Sequence, residues 1–219
     1  MAELRTEEEQ VEALKRWWQT NGKSLLLTVA LALALVMGWK AWQQRQEAAA
    51  ANASVVYQNL LEAVSGVLGA QSSPELVSTA EQLASTLKSD YGDSAYARLG
   101  ALLMSRVAVE QGQLDQALSE LDWVLAQEPE GPQRVVAQIR KARLLAEQGN
   151  TGDALALLDT VQPGEFESSY QELRGDLLLR DGREADAREA YRLAIQAAEA
   201  GGARPLLKMK LDNLAVEEG

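Results

Sequence analysis

One uninterrupted apolar run, LLLTVALALALVMGW over residues 25–39, constrains this 219-residue chain more than any other feature. It occurs once, and everything after it is polar enough to stand in water. With its flanks, residues 23–42, it amounts to about 20 residues, or roughly 30 Å of helix at ~1.5 Å per residue. That is the thickness of the hydrocarbon core of a bilayer. The run predicts a single transmembrane helix.

The flanks agree with that reading. Trp17 and Trp18 precede the run and Trp39 and Trp42 close it, so four of the chain's 5 tryptophans bracket one segment. As a helix, Trp18 and Trp39 lie about 31 Å apart, which sets the indoles at the two headgroup levels as interface anchors. A cleaved secretory signal would begin with a short basic stretch. Here some two dozen residues carrying Glu3, Glu7, Glu8, Glu9 and Glu12 come first, and no small-residue cleavage site follows Trp39. Arg5, Lys15, Arg16 and Lys23 precede the span, whereas Lys40 and Arg45 follow it and no basic residue then appears until Lys88. This bias orients the N-terminus toward the cytoplasm and, in a bacterium, the remainder toward the periplasm. The absence of cysteine fits an oxidising compartment and equally a cytosolic one.

Composition then removes most chemistry. Without histidine or cysteine the chain lacks the commonest general base, the commonest zinc ligands and the thiol nucleophile. No G-x-S-x-G, S-x-x-K, H-E-x-x-H, G-x-G-x-x-G or P-loop run replaces them. Carboxylates such as Glu172 and Asp176 sit in salt-bridge-like helical patterns. No catalytic, cofactor-binding or metal-binding residue is expected, and the chain is not expected to be an enzyme. A net charge of -11 also argues against nucleic acid, whose phosphates call for clustered lysine and arginine.

Beyond residue 46 the sequence is rich in alanine, leucine, glutamine and glutamate, with apolar residues at three-and-four spacing and no strand-like alternation. It predicts an all-α domain built from repeats. Gly112, Gly149 and Gly182 each stand five residues before an alanine, and those alanines, Ala117, Ala154 and Ala187, are 37 and 33 residues apart. The tetratricopeptide period is about 34. A large residue follows four positions on (Leu121, Leu158, Tyr191) and an apolar one seven on (Val124, Val161, Ala194). Pro129 falls where a second helix should stop, and Gly175 at the small position of a first helix; Ala142 holds that position in the middle repeat, which has no matching proline. A degenerate hairpin upstream, over 48–68 and 74–88, uses Ala80, Ala84 and Leu87 in the equivalent rows. The sum is an α-solenoid of about four hairpins. A C-terminal helix over 204–216, with Leu206, Leu207, Met209, Leu211 and Leu214, would cap its open end. The links are 69–74, 128–132, 162–165 and Gly201-Gly202. The expected division is residues 1–22 in the cytoplasm, 23–42 in the membrane, 43–203 as a periplasmic repeat domain and 204–219 as capping helix and tail.

In such a stack the first helices line a concave groove suited to a peptide, a helix or a partner's loop. The repeat register sets Arg106, Arg143 and Asp176 in one groove-facing row and Glu110, Glu147 and Arg180 one turn further. Each pair is i,i+4 and oppositely charged. They are either intrahelical pairs worth a few tenths of a kcal/mol or a polar ladder that grips a client's backbone or carboxylate. Leu99, Leu102, Val109, Val136, Ile139 and Leu179 are the apolar groove candidates, and leucine at helical spacing equally serves a core. In the span, Ala30 and Ala34 form a weak small-x-x-x-small face.

The opening EEEQVEALKRWWQTNGK, the span ending GWKAW, the helix ASVVYQNLLEAV, the repeat pattern and the closing LLKMKLDNL together resemble the YfgM-like family, the ancillary subunit of the bacterial Sec translocon. The resemblance covers essentially the whole chain and is strongest over 11–42 and 208–214. It implies an inner-membrane protein with a periplasmic repeat domain beside the protein-conducting channel. It also implies partnership with a membrane-anchored periplasmic prolyl-isomerase-like chaperone and a role in assisting secretory proteins as they emerge. The family brings no catalytic residues. Its cytoplasmic tail is linked to stress-response signalling, for which the acidic stretch 7–12 is either a contact or simply a solvated helix face. Three functions therefore stay open: an adaptor and chaperone of export, a pure scaffold docking one folded partner, and a regulator acting through the N-terminal segment.

Overall fold

Helix α1, Glu7–Leu68, is one unbroken helix that contains the whole apolar run. It carries no proline, and the strong helix formers alanine and leucine are its commonest residues, so nothing in it forces a break. The computed structural model describes residues 7–69, 73–198 and 204–214. These residues form nine α-helices and one 3-10 turn, with no strand. The chain divides into two units, the first reaching Asn52 and the second beginning at Ala53.

In the first unit α1 carries the one described segment long and apolar enough to cross a membrane, and none of its apolar window is buried against the rest of the chain. Leu26, Leu31, Leu35 and Met37 all face outward, as do the four flanking tryptophans, Trp17, Trp18, Trp39 and Trp42. Leucine and indole surface on this scale has no partner in water. It fits a single crossing of a membrane, with Trp39 and Trp42 in ring contact at 5.1 Å between centroids.

The second unit is a stack of four helical hairpins. The end of α1 pairs with α2 (Pro74–Asp90), α3 (Ala95–Glu110) with α4 (Leu114–Ala126), α5 (Pro132–Glu147) with α6 (Thr151–Leu158), and α7 (Glu167–Arg180) with α8 (Glu184–Ala198). The short α9 (Pro205–Asp212) follows. Helix α2 begins on Ser73, whose hydroxyl accepts from the Leu76 amide, with Pro74 in the first turn. Ala53, Leu60, Ala63 and Val67 of α1 close on Ala80, Ala84 and Leu87 of α2 and on Ala97, Met104 and Val107 of α3.

The repeat glycines end their helices by one recurring device. Gly112, Gly149 and Gly182 have φ of 73, 87 and 78°. After each, the next amide reaches back to close the last turn: Gln113 to Ala108 O, Asn150 to Leu145 O and Arg183 to Leu178 O, at 2.8 to 2.9 Å. This is a Schellman closure, which needs a left-handed residue and therefore glycine. The following alanines, Ala117, Ala154 and Ala187, are fully buried, as are Leu121 and Leu158, while Tyr191 is 1% exposed.

Two parts depart from the sequence reading. Helix α6 stops at Leu158, so Val161 reaches the core from beyond the helix end. Pro163 and Gly164 follow too closely to let the helix run on, and a 3-10 turn, Gly164–Phe166, leads into α7. Leu207 and Leu211 of α9, and Leu214 just beyond its end, pack on the last hairpin; Leu206 and Met209 face outward and cap nothing. Residues 1–6 with Glu3, residues 70–72 of the 69–74 link, the Gly201-Gly202 turn and the end of the expected capping helix at 215–216 lie outside the described residues, as does the tail to 219.

Candidate protein-binding groove

First helices α3 and α5 lie side by side, and each begins with an anchor to the other. Arg98 donates to Gln133 Oε1 at 2.7 Å, and Gln133 donates to Ala95 O. Arg140 then reaches across from α5 to Leu102 O at 3.0 Å. Between these ties the two helices leave a pair of adjoining pockets.

One, about 240 Å3, is lined by Leu99, Leu102, Leu103, Val136, Gln133 and Arg140, with Tyr57 of α1 and Pro132 completing its wall. The other, about 290 Å3, is lined by Ser105, Arg106, Val109, Arg140, Arg143 and Leu144. Arg140 is common to both. Burial, and after it the charges of Arg106 and Arg143, pulls the Arg140 guanidinium below its ordinary range. Tyr57 sits in ring contact with Tyr96 at 5.6 Å, and its phenol is pushed up by burial.

Of the sequence candidates, then, Leu99, Leu102, Arg106, Val109, Val136 and Arg143 come together along this groove. The others do not. Ile139 is 6% exposed and belongs to the core with Ala142, Ala146 and Leu158. Glu110 is exposed without an ion pair among the described residues. Leu179 is outward-facing and lines neither pocket.

The expected i,i+4 pairs Arg106–Glu110, Arg143–Glu147 and Asp176–Arg180 are absent among the described residues. Glu147 pairs with Arg180 of the next repeat at 3.3 Å, and the same guanidinium donates to Ala146 O at 2.6 Å. A carbonyl and a carboxylate offered together by a neighbouring helix outweigh one intrahelical contact worth ~0.2–0.5 kcal/mol. Asp176 is taken by α9. Lys210 donates to both its oxygens at 2.7 and 2.8 Å, and the Tyr191 hydroxyl donates to it at 2.7 Å. Lys210 also meets Glu172 at 3.1 Å, and Arg204 binds Glu172 and Ser168. Repeat-row position alone did not reveal these cross-repeat partners. Arg140 lies one turn before Arg143 on the same face of α5, which is the one sequence signal that marks it. Tyr57 comes from the degenerate hairpin, where no repeat signal marks it.

The α9 clamp has a defined pH dependence. Burial lowers the Lys210 ammonium, but hydrogen bonds to Asp176 and Glu172 outweigh it and hold the group above its ordinary 10.5. Burial first, then Asp176, raises the Tyr191 phenol above 10.0. Both groups hold their proton more tightly folded than unfolded. Their contribution is therefore complete below about pH 10 and is lost as pH rises through the raised folded values. The melting temperature is expected to fall between about pH 10 and 12, and to fall less steeply in Lys210→Met; equal slopes in circular-dichroism melts would refute the assignment to Lys210.

A family model described as a tetratricopeptide repeat-like domain matches residues 15–216. The ancillary SecYEG translocon subunit of Escherichia coli (strain K12) is 30% identical over 210 residues, covering 96% of this chain and 97% of that protein. The protein of the same name from Aggregatibacter actinomycetemcomitans is 30% identical over 216 residues, 98% of this chain and all of its own length. That from Neisseria gonorrhoeae (strain ATCC 700825 / FA 1090) is 27% identical over 215 residues, again across its full length. With one apolar helix and a repeat stack matched end to end, the chain belongs to the family of ancillary SecYEG translocon subunits with a tetratricopeptide repeat-like domain.

Proposed function

We propose that the chain is a non-enzymatic, membrane-anchored adaptor and chaperone of protein export. Its N-terminus lies in the cytoplasm, its span crosses the inner membrane beside the SecYEG channel, and its repeat domain receives emerging secretory chains in the periplasm together with a prolyl-isomerase-like chaperone. The observation that carries this reading is the open groove between α3 and α5, with apolar and cationic walls, in a chain that also holds a membrane-crossing helix. Tethering keeps such a groove at high effective concentration near the channel exit, so each contact can be weak and release fast. The lysine and arginine bias across the span supports the orientation.

Photo-crosslinking in intact membranes tests it, with one probe at Arg143 in the groove and a second at Met209 on the outward face of α9. Met209 is preferable to Lys210, which the clamp engages. Nascent secretory chains or the isomerase at Arg143, and channel subunits at either site, are expected. Adducts confined to Met209 would favour the scaffold reading, for which the exposed Leu206 and Met209 speak. Self-adducts alone, or envelope proteins unrelated to export, would overturn the export assignment.

A further inference from the structure

We propose that the Arg106–Arg140–Arg143 pocket is a carboxylate-selective site for an extended acidic peptide segment, which sets a glutamate or aspartate among the three guanidiniums and a neighbouring apolar side chain against Leu99, Leu102 and Val136. The inference rests on the groove being the docking face and adds to it the chemistry of the occupant.

The first ground is charge. In a chain with 32 acidic and 21 basic residues, a cation in the repeat domain has no shortage of carboxylates. Lys88 pairs with Glu120, Lys141 with Asp122, Arg174 with Asp159, Arg183 with Asp186 and Arg192 with Glu189. Arg106 and Arg143 pair with none among the described residues, and both crowd Arg140 in a pocket of about 290 Å3. Three like charges facing one another weaken the fold unless something neutralises them, and an incoming carboxylate does so bidentately.

The second ground is preorganisation. Arg140 is already fixed by Leu102 O, so one arm of the site is positioned before anything binds.

The adjoining pocket decides between ligand classes. Two side-chain-sized cavities of about 290 and 240 Å3, sharing Arg140 as a wall, suit successive side chains of an extended peptide. An anionic lipid would satisfy the arginines yet leave an acyl chain with only the smaller cavity.

The test uses the full chain in nanodiscs of zwitterionic lipid and two fluorescent ten-residue peptides, one with two glutamates among leucines and the other with glutamine in their place. Anisotropy is expected to show the glutamate peptide binding about tenfold more tightly, with the preference shrinking as salt rises. The double variant Arg106→Gln, Arg143→Gln should lose that preference while binding the glutamine peptide as before. Neither arginine bonds elsewhere in the described chain and losing them relieves the crowding on Arg140, so this variant should melt no lower than wild type does. Equal binding of the two peptides to wild type, or a preference that survives in the double variant, would overturn the proposal. So would displacement of the glutamate peptide by phosphatidylglycerol vesicles but not by phosphatidylcholine vesicles. Export crosslinks that persist beside equal peptide binding would remove the acid selectivity alone. A glutamate preference without export crosslinks would remove the export reading and keep the site.

Discussion

Gly175→Val is expected to lower the melting temperature of the repeat domain by roughly 6–12 °C, with the loss beginning in the last hairpin, at about 3 kcal/mol and ~2–4 °C per kcal/mol for a domain of this size. A Cβ at Gly175 would stand 2.5 Å from Tyr191 Cε1 and 2.6 Å from Cδ1. Tyr191 cannot retreat easily. It is 1% exposed, is packed among Leu178, Ala187, Ala190 and Leu207, and its hydroxyl is tied to Asp176. Helix propensity favours any side chain over glycine by up to ~1 kcal/mol, so it opposes the clash and decides how much each substitution costs. Alanine gains most from propensity and adds least volume, so Gly175→Ala should fall short of the valine effect. The double variant Gly175→Ala, Tyr191→Leu removes the ring and should recover part of the loss, a coupling that thermal melts of the four cycle members read directly. Wild-type melting of Gly175→Val would mean that α7 and α8 do not approach as closely as the structure has them.

Gly175 also shows what kind of information the sequence carried. A position that admits only a hydrogen is visible as a glycine at a fixed distance from the alanine of the second helix in its own hairpin, because the close approach of two helices recurs with the repeat. The same holds for Gly112, Gly149 and Gly182, whose left-handed conformation is needed once per hairpin. Backbone geometry of this sort repeats and is therefore legible. Side-chain partners do not repeat. Arg180 chose Ala146 O and Glu147, and Asp176 chose Lys210, because long side chains on adjacent helices had several acceptors within reach and the repeat register ranks none of them. The groove was consequently readable as a set of rows on α3 and α5 but not as a pair of pockets. Arg140, Ser105 and Tyr57 enter it through the crossing of helices. The middle hairpin illustrates the limit from the other side. Ala154, Leu158 and Val161 kept their rows in the core, although the helix meant to carry all three ended at the second.

Leu207→Glu should detach α9 and leave the third and earlier hairpins folded. Leu207 is 1% exposed against Tyr191, Ala187 and Ala194, so an ionised carboxylate there would lose its water and gain no partner. The cost is several kcal/mol, beyond the ~2–5 kcal/mol of a leucine-to-alanine deletion. Against it stand the polar ties of α9: Arg204 and Lys210 on Glu172 and Asp176, and Arg188 donating to Leu214 O at 2.8 Å. These partly exposed contacts contribute at most about 1 kcal/mol each, and an eight-residue helix has little stability of its own to add. Burial loses, and α9 swings away. The faces of α8 that carry Ala187, Ala194 and Tyr191 then meet water, as the terminal repeat of any solenoid does when its cap is removed. Hydrogen exchange should show α9 unprotected and α8 weakened, with gel filtration showing association through the bared face. Because each hairpin is stabilised mainly by its neighbours, α3 and α5 should stay protected and the groove should bind peptide as before. Concerted loss of protection across all four hairpins would instead mean that the stack folds as one unit, with its end helix holding the groove in shape from three helices away.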